Sequence, residues 1–210
     1  MSDSILFNVI PYVAALGTLA GGIARLTARE PAAPPSPWTS AGRTVLAGAS
    51  IVLFFHLVGL AAPRAMQAFN ASPARMFTLE SLSLIGALLL SWGLLSLGLR
   101  RAREGQWGAV VALGLVLSQV LMGVYVAVAL RWASAWYLHV TVPYLRSLMS
   151  FQPDATLLQA APWVIQVHVL ASIALLGLAP FLRFGRVPAP TRASESVEPG
   201  LLAAPREETP

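Results

Sequence analysis

Long apolar blocks separated by short polar or proline-rich stretches dominate the chain. A bilayer hydrocarbon core about 30 Å thick needs about 20 predominantly apolar residues per helix. Five blocks reach that length, at residues 5–24, 44–62, 78–99, 107–130 and 163–182. Pro63 is expected to end the second block, and the arginines at 100, 101 and 103 to end the third. The pattern predicts an all-α membrane protein, a bundle of five transmembrane helices.

The connections between these blocks differ in kind. Residues 28–42 are proline-rich and cannot be helical throughout. Residues 131–162 form the longest connection, and Pro143 suits the first turn of a short helix running to about Ser150. The aromatic residues of this connection, which are typical of a membrane–water interface, are Trp132, Trp136, Tyr137, Tyr144 and Phe151. We therefore expect a membrane domain over residues 1–186 with an interfacial segment between helices four and five. Residues 187–210 have little to bury and are predicted to be a disordered tail.

Composition supports the membrane assignment and excludes several other classes. Apolar residues make up 56% of the chain and charged residues only 11%, against roughly 25% in an average soluble domain. The chain has no Cys, which excludes a disulfide scaffold, iron–sulfur ligation and a Cys-rich zinc site. Its pI near 10.7 suggests nucleic acid, but the arginines flank apolar blocks and form no stripe with interleaved aromatic residues. We therefore expect no nucleic-acid partner.

The distribution of arginine predicts the orientation in the membrane. With five helices, one side holds ten arginines, at 25, 29, 43, 100, 101, 103, 183, 186, 192 and 206. The other side holds four, at 64, 75, 131 and 146. The positive-inside rule then places the N-terminus outside and the C-terminus in the cytoplasm, as in a multi-pass protein of a bacterial or archaeal-type inner membrane. The first block lacks a basic n-region, so it is not expected to be a cleaved signal peptide.

Two histidines lie within the predicted spans, where ionisable groups are costly and are candidates for function. His56 and His168 lie roughly 9 and 7.5 Å below the outer boundary, at about 1.5 Å per residue. Two imidazoles at matched depth, with no Cys or carboxylate nearby in sequence, indicate the axial ligands of one b-type haem. The alternative is that each histidine bonds a Ser or a carbonyl within the bundle. His139 lies among the interfacial aromatics, and a solvated or headgroup-level role is favoured for it.

The chain resembles the cytochrome b (gamma) subunit of respiratory nitrate reductase and its relatives. The segments that carry the resemblance are FNVIPYVA (7–14), FFHLVGLAAP (54–63), RRAR (100–103), GVYVAVALRWASAWY (123–137), VPYLRSLMSFQPD (142–154) and QVHVLASIALLGLAPFLRFGR (166–186). They cover most of the chain in the family's order. The resemblance implies five helices and two b haems stacked across the membrane. His56 and His168 match the ligands of the outer haem, the one nearer the quinol site.

The ligands of the family's inner haem have no counterpart. Leu46 stands ten residues before His56, and Arg186 stands eighteen residues after His168, where the family pattern has histidines. No other His, Cys or Met lies on the inner half of the second or fifth helix. A chain without ligands cannot hold that haem by axial coordination. The resemblance therefore implies a one-haem variant of a two-haem family.

The quinol site that the resemblance implies lies at the outer edge of the outer haem, near the start of the third helix. Arg75 lies within one position of the family's assisting basic residue, and Glu80 is the one carboxylate predicted within a span. Arg75 could bond a quinone oxygen and Glu80 could accept a proton from a quinol. Alternatively, Arg75 extends to the lipid headgroups and Glu80 marks the first turn of its helix.

The function expected from these features is electron transfer between the quinone pool and a partner oxidoreductase. Such a subunit performs no substrate chemistry itself, because the cofactor carries the reaction. With one haem near the outer face, the partner centre is expected outside, as an iron–sulfur or molybdenum module or a c-type cytochrome. Alternatively, a neighbouring membrane subunit carries electrons inward. The alternative is a haem-free anchor subunit of a larger complex. A transporter is disfavoured because the chain lacks an inverted repeat and a series of buried charges.

Overall fold

The structure, a computed structural model, describes residues 5–27 and 40–182. These residues form helices joined by turns, without a strand. The helices are α1 (Ile5–Thr27), α2 (Ser40–Ala61), α3 (Pro63–Asn70), α4 (Pro73–Arg103), α5 (Trp107–Ala129), α6 (133–149), α7 (Ala155–Gln159) and α8 (Trp163–Leu178). Most of the proline-rich connection and the predicted tail lie outside the described residues.

Four helices, α1, α2, α4 and α5, are long and apolar enough to cross a membrane. They correspond to the first four predicted blocks. The fifth block forms α8, which has 16 residues, fewer than the about 20 of a typical crossing. The predicted end at residue 182 is too late, because the chain turns from Ala179 onward and Pro180 lacks the N–H that would continue the helix. The fifth crossing therefore stays a prediction.

The third predicted block was too short at both ends. Helix α4 has 31 residues, beginning at Pro73 and continuing through the arginines that were expected to end it. Arginine is a good helix former, so these residues extend the helix beyond its apolar part. Arg100 and Arg101 each place a guanidinium nitrogen 3.0 Å from the Glu104 carboxylate. The chain turns at Gly105, whose φ of +69° suits glycine.

The long helices pack side by side in the order α2, α4, α5, α8, α1. The first two approach most closely along three glycines, Gly48 on α2 with Gly86 and Gly93 on α4, which we call the glycine seam. A Cβ added at Gly48 would lie 2.4 Å from the backbone nitrogen of Leu90. Within the described residues, α2 and α8 share no extensive contact. In this row, α4 and α5 lie between α2 and α8.

The connection between α5 and α8 is more helical than predicted. Helix α6 begins at Ala133, ten residues before Pro143, and contains a π-turn at Tyr137–Thr141. The wider π-turn directly precedes the segment containing Pro143, which cannot donate an ordinary helical hydrogen bond. The fully buried Tyr144 donates a 2.6 Å hydrogen bond to the carbonyl of Phe7. Burial raises the pKa of Tyr144 to about 12, so its hydroxyl remains a donor that ties α6 to α1.

Candidate functional site

His56 lies in the second-to-last turn of α2, and its ring is exposed. Its Nδ1 lies 2.8 Å from the carbonyl oxygen of Val52, one turn earlier on the same helix. A carbonyl oxygen only accepts hydrogen bonds, so Nδ1 carries the proton and donates it. In the neutral ring, Nε2 then keeps its lone pair. This tautomer is the one in which a histidine can ligate a metal through Nε2.

Helix α6 holds α2 at the position of His56. The hydroxyl of Tyr137 donates a 2.6 Å hydrogen bond to the backbone carbonyl of His56, and the two rings meet edge to face with centroids 5.1 Å apart. Gly59 makes this approach possible, because a Cβ there would lie 2.6 Å from the Tyr137 ring. Burial raises the pKa of Tyr137 to about 12, so the phenol stays protonated.

His168 lies in the second turn of α8 and is mostly surrounded by neighbouring helices. On α5, the side-chain nitrogen of Gln119 lies 2.8 Å from Nδ1 of His168, and it also donates to the His168 carbonyl at 2.7 Å. Gly123 lies one turn further along α5, where a Cβ would be 3.0 Å from Cε1 of the same ring.

Two imidazoles on separate helices are suited to binding one metal from opposite sides. Within residues 5–27 and 40–182, no three His, Cys, Asp or Glu residues gather into a metal site, so further ligands would have to come with the metal. The residues present fit a b-type haem, in which the macrocycle supplies four nitrogens and the protein two. Two features favour that fit: the available Nε2 of His56 and the glycine beside His168.

Arg75 bonds to its own chain at the junction of α3 and α4. Its Nε donates to the carbonyl of Phe69 at 2.8 Å, and a terminal nitrogen donates to the carbonyl of Ala68 at 3.1 Å. These carbonyls belong to the last turn of α3, where a cation is favourable. Arg75 therefore caps α3, a role that the sequence did not indicate because it depends on the tight turn between the two helices.

Glu80 lies in the second turn of α4 rather than the first, because that helix begins at Pro73. Its Oε1 accepts hydrogen bonds from the backbone nitrogen of Ser134 at 3.1 Å and from the Ser134 hydroxyl at 2.7 Å. Ser134 stands in the first turn of α6, so the carboxylate does lie at a helix N-terminus, but that of a different helix. The contact links the start of α4 to α6.

The remaining candidate positions lie away from these contacts or outside the described residues. His139 is exposed and lines a small cleft of about 210 Å³ together with Gln67 and Asn70. Leu46, at one of the two positions where the resemblance implies a histidine, is an exposed residue of α2. Arg186, at the other such position, lies outside the described residues.

Sequence reasoning missed Gln119 and Tyr137 as partners of the two histidines. A signal for Gln119 was present, since no other amide and no charged residue occurs between Trp107 and Ala129. Such a residue in an apolar span requires a polar partner. Tyr137 gave no comparable signal, because it lies among several interfacial aromatic residues.

Comparison with protein families found that the nitrate reductase gamma subunit family matches residues 3–188. Comparison with curated proteins found no significant match.

Proposed function

The chain belongs to the nitrate reductase gamma subunit family, and on that basis we propose that it is a membrane cytochrome b that carries electrons between the quinone pool and a partner oxidoreductase. The observation that carries the proposal is the pair His56, near the C-terminal end of α2, and His168, near the N-terminal end of α8. We assign to them one b-type haem. Bound there, it would supply one-electron redox chemistry at its iron.

The chain's own residues would hold and orient this group. The Val52 carbonyl keeps the proton of His56 on Nδ1, and the α5 residues next to His168 position the second ring. The apolar side chains of α2 and α8 would exclude water from the macrocycle. With Leu46 and Arg186 at the other two family positions, we assign no second haem to this chain.

An absorption spectrum of the purified, dithionite-reduced protein tests the haem assignment. The wild-type protein should show the α-band of a six-coordinate b-type cytochrome. His56→Ala and His168→Ala should each lose it, whereas His139→Ala should keep it, because that exposed histidine lies on the α6 π-turn. A wild-type protein that lacks haem would instead favour the haem-free anchor subunit. Normal haem in a variant without both histidines would refute the ligand assignment.

We place the quinol site at the outer edge of this haem, near Arg75 and Glu80, on the strength of the family resemblance. Both side chains bond within the chain, so any role toward quinol would require those contacts to be shared or exchanged. Haem reduction by a quinol analogue should slow in Arg75→Ala and Glu80→Gln. Unchanged rates in both variants, with normal haem content, would leave these residues as a helix cap and a link between helices.

The proposed partner centre lies on the outer side of an inner membrane, with the N-terminus outside and the C-terminus in the cytoplasm. A haem near the outer ends of α2 and α8 would be separated from a cytoplasmic centre by most of a hydrocarbon core about 30 Å thick. An exported iron–sulfur or molybdenum module or a c-type cytochrome would avoid that distance. A structure of the intact complex tests this placement, and a cytoplasmic centre nearest to the haem would refute it.

A further inference from the structure

Gln119 is a polar side chain in the middle of an apolar helix. A primary amide in such a span needs hydrogen-bond partners, since an unsatisfied polar group in a low-dielectric environment is costly. The partners of its side-chain nitrogen all lie on α8. They are Nδ1 of His168 at 2.8 Å, the His168 carbonyl at 2.7 Å, and the hydroxyl of Ser172. Every one of these contacts is with His168 or with the residue one turn beyond it.

The same face of α5 also limits where the His168 ring can lie. A Cβ at Gly123 would be 3.0 Å from Cε1 and 3.5 Å from Nε2 of the ring, so glycine leaves the edge that carries Nε2 uncovered. Gln119 stands one turn earlier, at the opposite ring nitrogen. Together, an amide at Nδ1 and an absent side chain near Nε2 define one orientation of the imidazole.

Metal binding through Nε2 sets a requirement on the amide. Nε2 must then present its lone pair, so the proton lies on Nδ1 and must be donated to an acceptor. Rotating the Gln119 amide by half a turn about its last bond brings Oε1 to the position that faces Nδ1. Oε1 would then replace the amide nitrogen that lies 2.7 Å from the His168 carbonyl, and two acceptor oxygens repel each other, so the side chain must also shift away from that carbonyl. The carbonyl keeps a donor, because the Ser172 hydroxyl donates to it at 2.7 Å.

We propose that Gln119 is the positioning residue of His168, holding the ring and accepting its Nδ1 proton so that Nε2 is directed at a bound iron. This inference rests on the proposed function. A hydrogen bond at Nδ1 makes an imidazole a stronger electron donor, which stabilises the ferric state and lowers the midpoint potential. The potential of the haem should therefore depend on the acceptor at position 119.

The test compares Gln119→Met and Gln119→Glu with Ser118→Ala in the purified holoprotein. Methionine has a similar length and removes the acceptor, whereas glutamate keeps an oxygen there and adds negative charge. Ser118 is a matched control, because its hydroxyl bonds only within α5, to the Leu115 carbonyl. Redox titration, the low-spin electron paramagnetic resonance spectrum and haem retention are measured for each protein.

Gln119→Met should raise the midpoint potential and weaken haem binding by roughly 10- to 100-fold, as is common when the partner of a ligating histidine is removed. Gln119→Glu should lower the potential and restore haem retention. A purely structural role would not shift the potential in opposite directions. The inference is overturned if both Gln119 variants have the same potentials and spectra as Ser118→Ala. In that case, loss of haem in His168→Ala would show that the proposed function still holds. A wild-type protein without haem would overturn both.

Discussion

The glycine seam between α2 and α4 provides a test of how closely the position of His56 depends on helix packing. We consider Gly48→Ala, which adds one methyl group. The new Cβ would lie 2.4 Å from the Leu90 nitrogen, 2.7 Å from the Gly86 oxygen and 2.8 Å from the Leu90 Cα. All three are backbone atoms of α4, so no side-chain rotation can relieve the overlap.

The size of the effect follows from these distances. Ordinary contacts of a Cβ begin near 3.4 Å, so the two helices must separate locally by about 1 Å. Forcing an extra methyl group into a packed interior typically costs about 1–3 kcal/mol. Replacing a helix-interior glycine by alanine also stabilises the helix by up to about 1 kcal/mol, which offsets part of this cost. We therefore expect the free energy of unfolding to fall by roughly 1–2 kcal/mol.

The displacement should also reach the proposed ligand. His56 lies eight residues beyond Gly48 on the same helix, about 12 Å along its axis. A local separation at Gly48 tilts α2 and moves the His56 ring relative to His168, so haem retention should fall together with stability. Unfolding in mixed detergent micelles, followed by helical circular dichroism, measures the first effect, and the reduced absorption spectrum measures the second.

Gly98→Ala is the control, because that position is also on α4 but has no atom near an added Cβ. It should retain wild-type stability or gain slightly. If Gly48→Ala unfolds at the same denaturant fraction as Gly98→Ala, the close approach of the two backbones is absent and the reasoning fails.

Two further predictions concern α6. Tyr137→Phe removes the 2.6 Å hydrogen bond to the His56 carbonyl but keeps the ring, so the free energy of unfolding should fall by about 1 kcal/mol in the same detergent assay, and an unchanged value would contradict the bond. Ser134→Ala removes the 2.7 Å hydrogen bond from the hydroxyl to Glu80 and should lower the free energy of unfolding by about 1–2 kcal/mol. If the double variant Ser134→Ala with Glu80→Gln is as stable as Glu80→Gln alone, the loss of this contact is confirmed as the cause. Fully additive losses in the double variant would refute it.

Hydropathy predicted the elements whose ends coincide with the ends of the apolar sequence. The start of α5 at Trp107 and the end of α2 just before Pro63 are of this kind. Hydropathy reports the extent of the bilayer core, however, and not the extent of the helix. Helix α4 therefore continues at both ends through residues such as Arg75 and Arg103, which form helix without being apolar.

The contacts of the candidate site were harder to predict because they join distant parts of the chain. Glu80 and Ser134 are 54 residues apart, and Gln119 and His168 are 49 residues apart. Because ionisable groups are scarce in the apolar blocks, His56, His168 and Glu80 could be identified as candidate site residues from the sequence. It could not show that Glu80 bonds to the start of another helix, nor which amide faces His168, because both depend on the order in which the helices pack.

The bond from Tyr137 reaches the backbone of residue 56 and not its side chain. A carbonyl is common to every amino acid, so the attachment of α6 to α2 is indifferent to which side chain stands at that position. The packing of α6 against this end of α2 can therefore be retained even when another residue replaces His56. Position 46 of the same helix would be an example if the histidine that the resemblance implies there is replaced, since Leu46 lies within an intact helix.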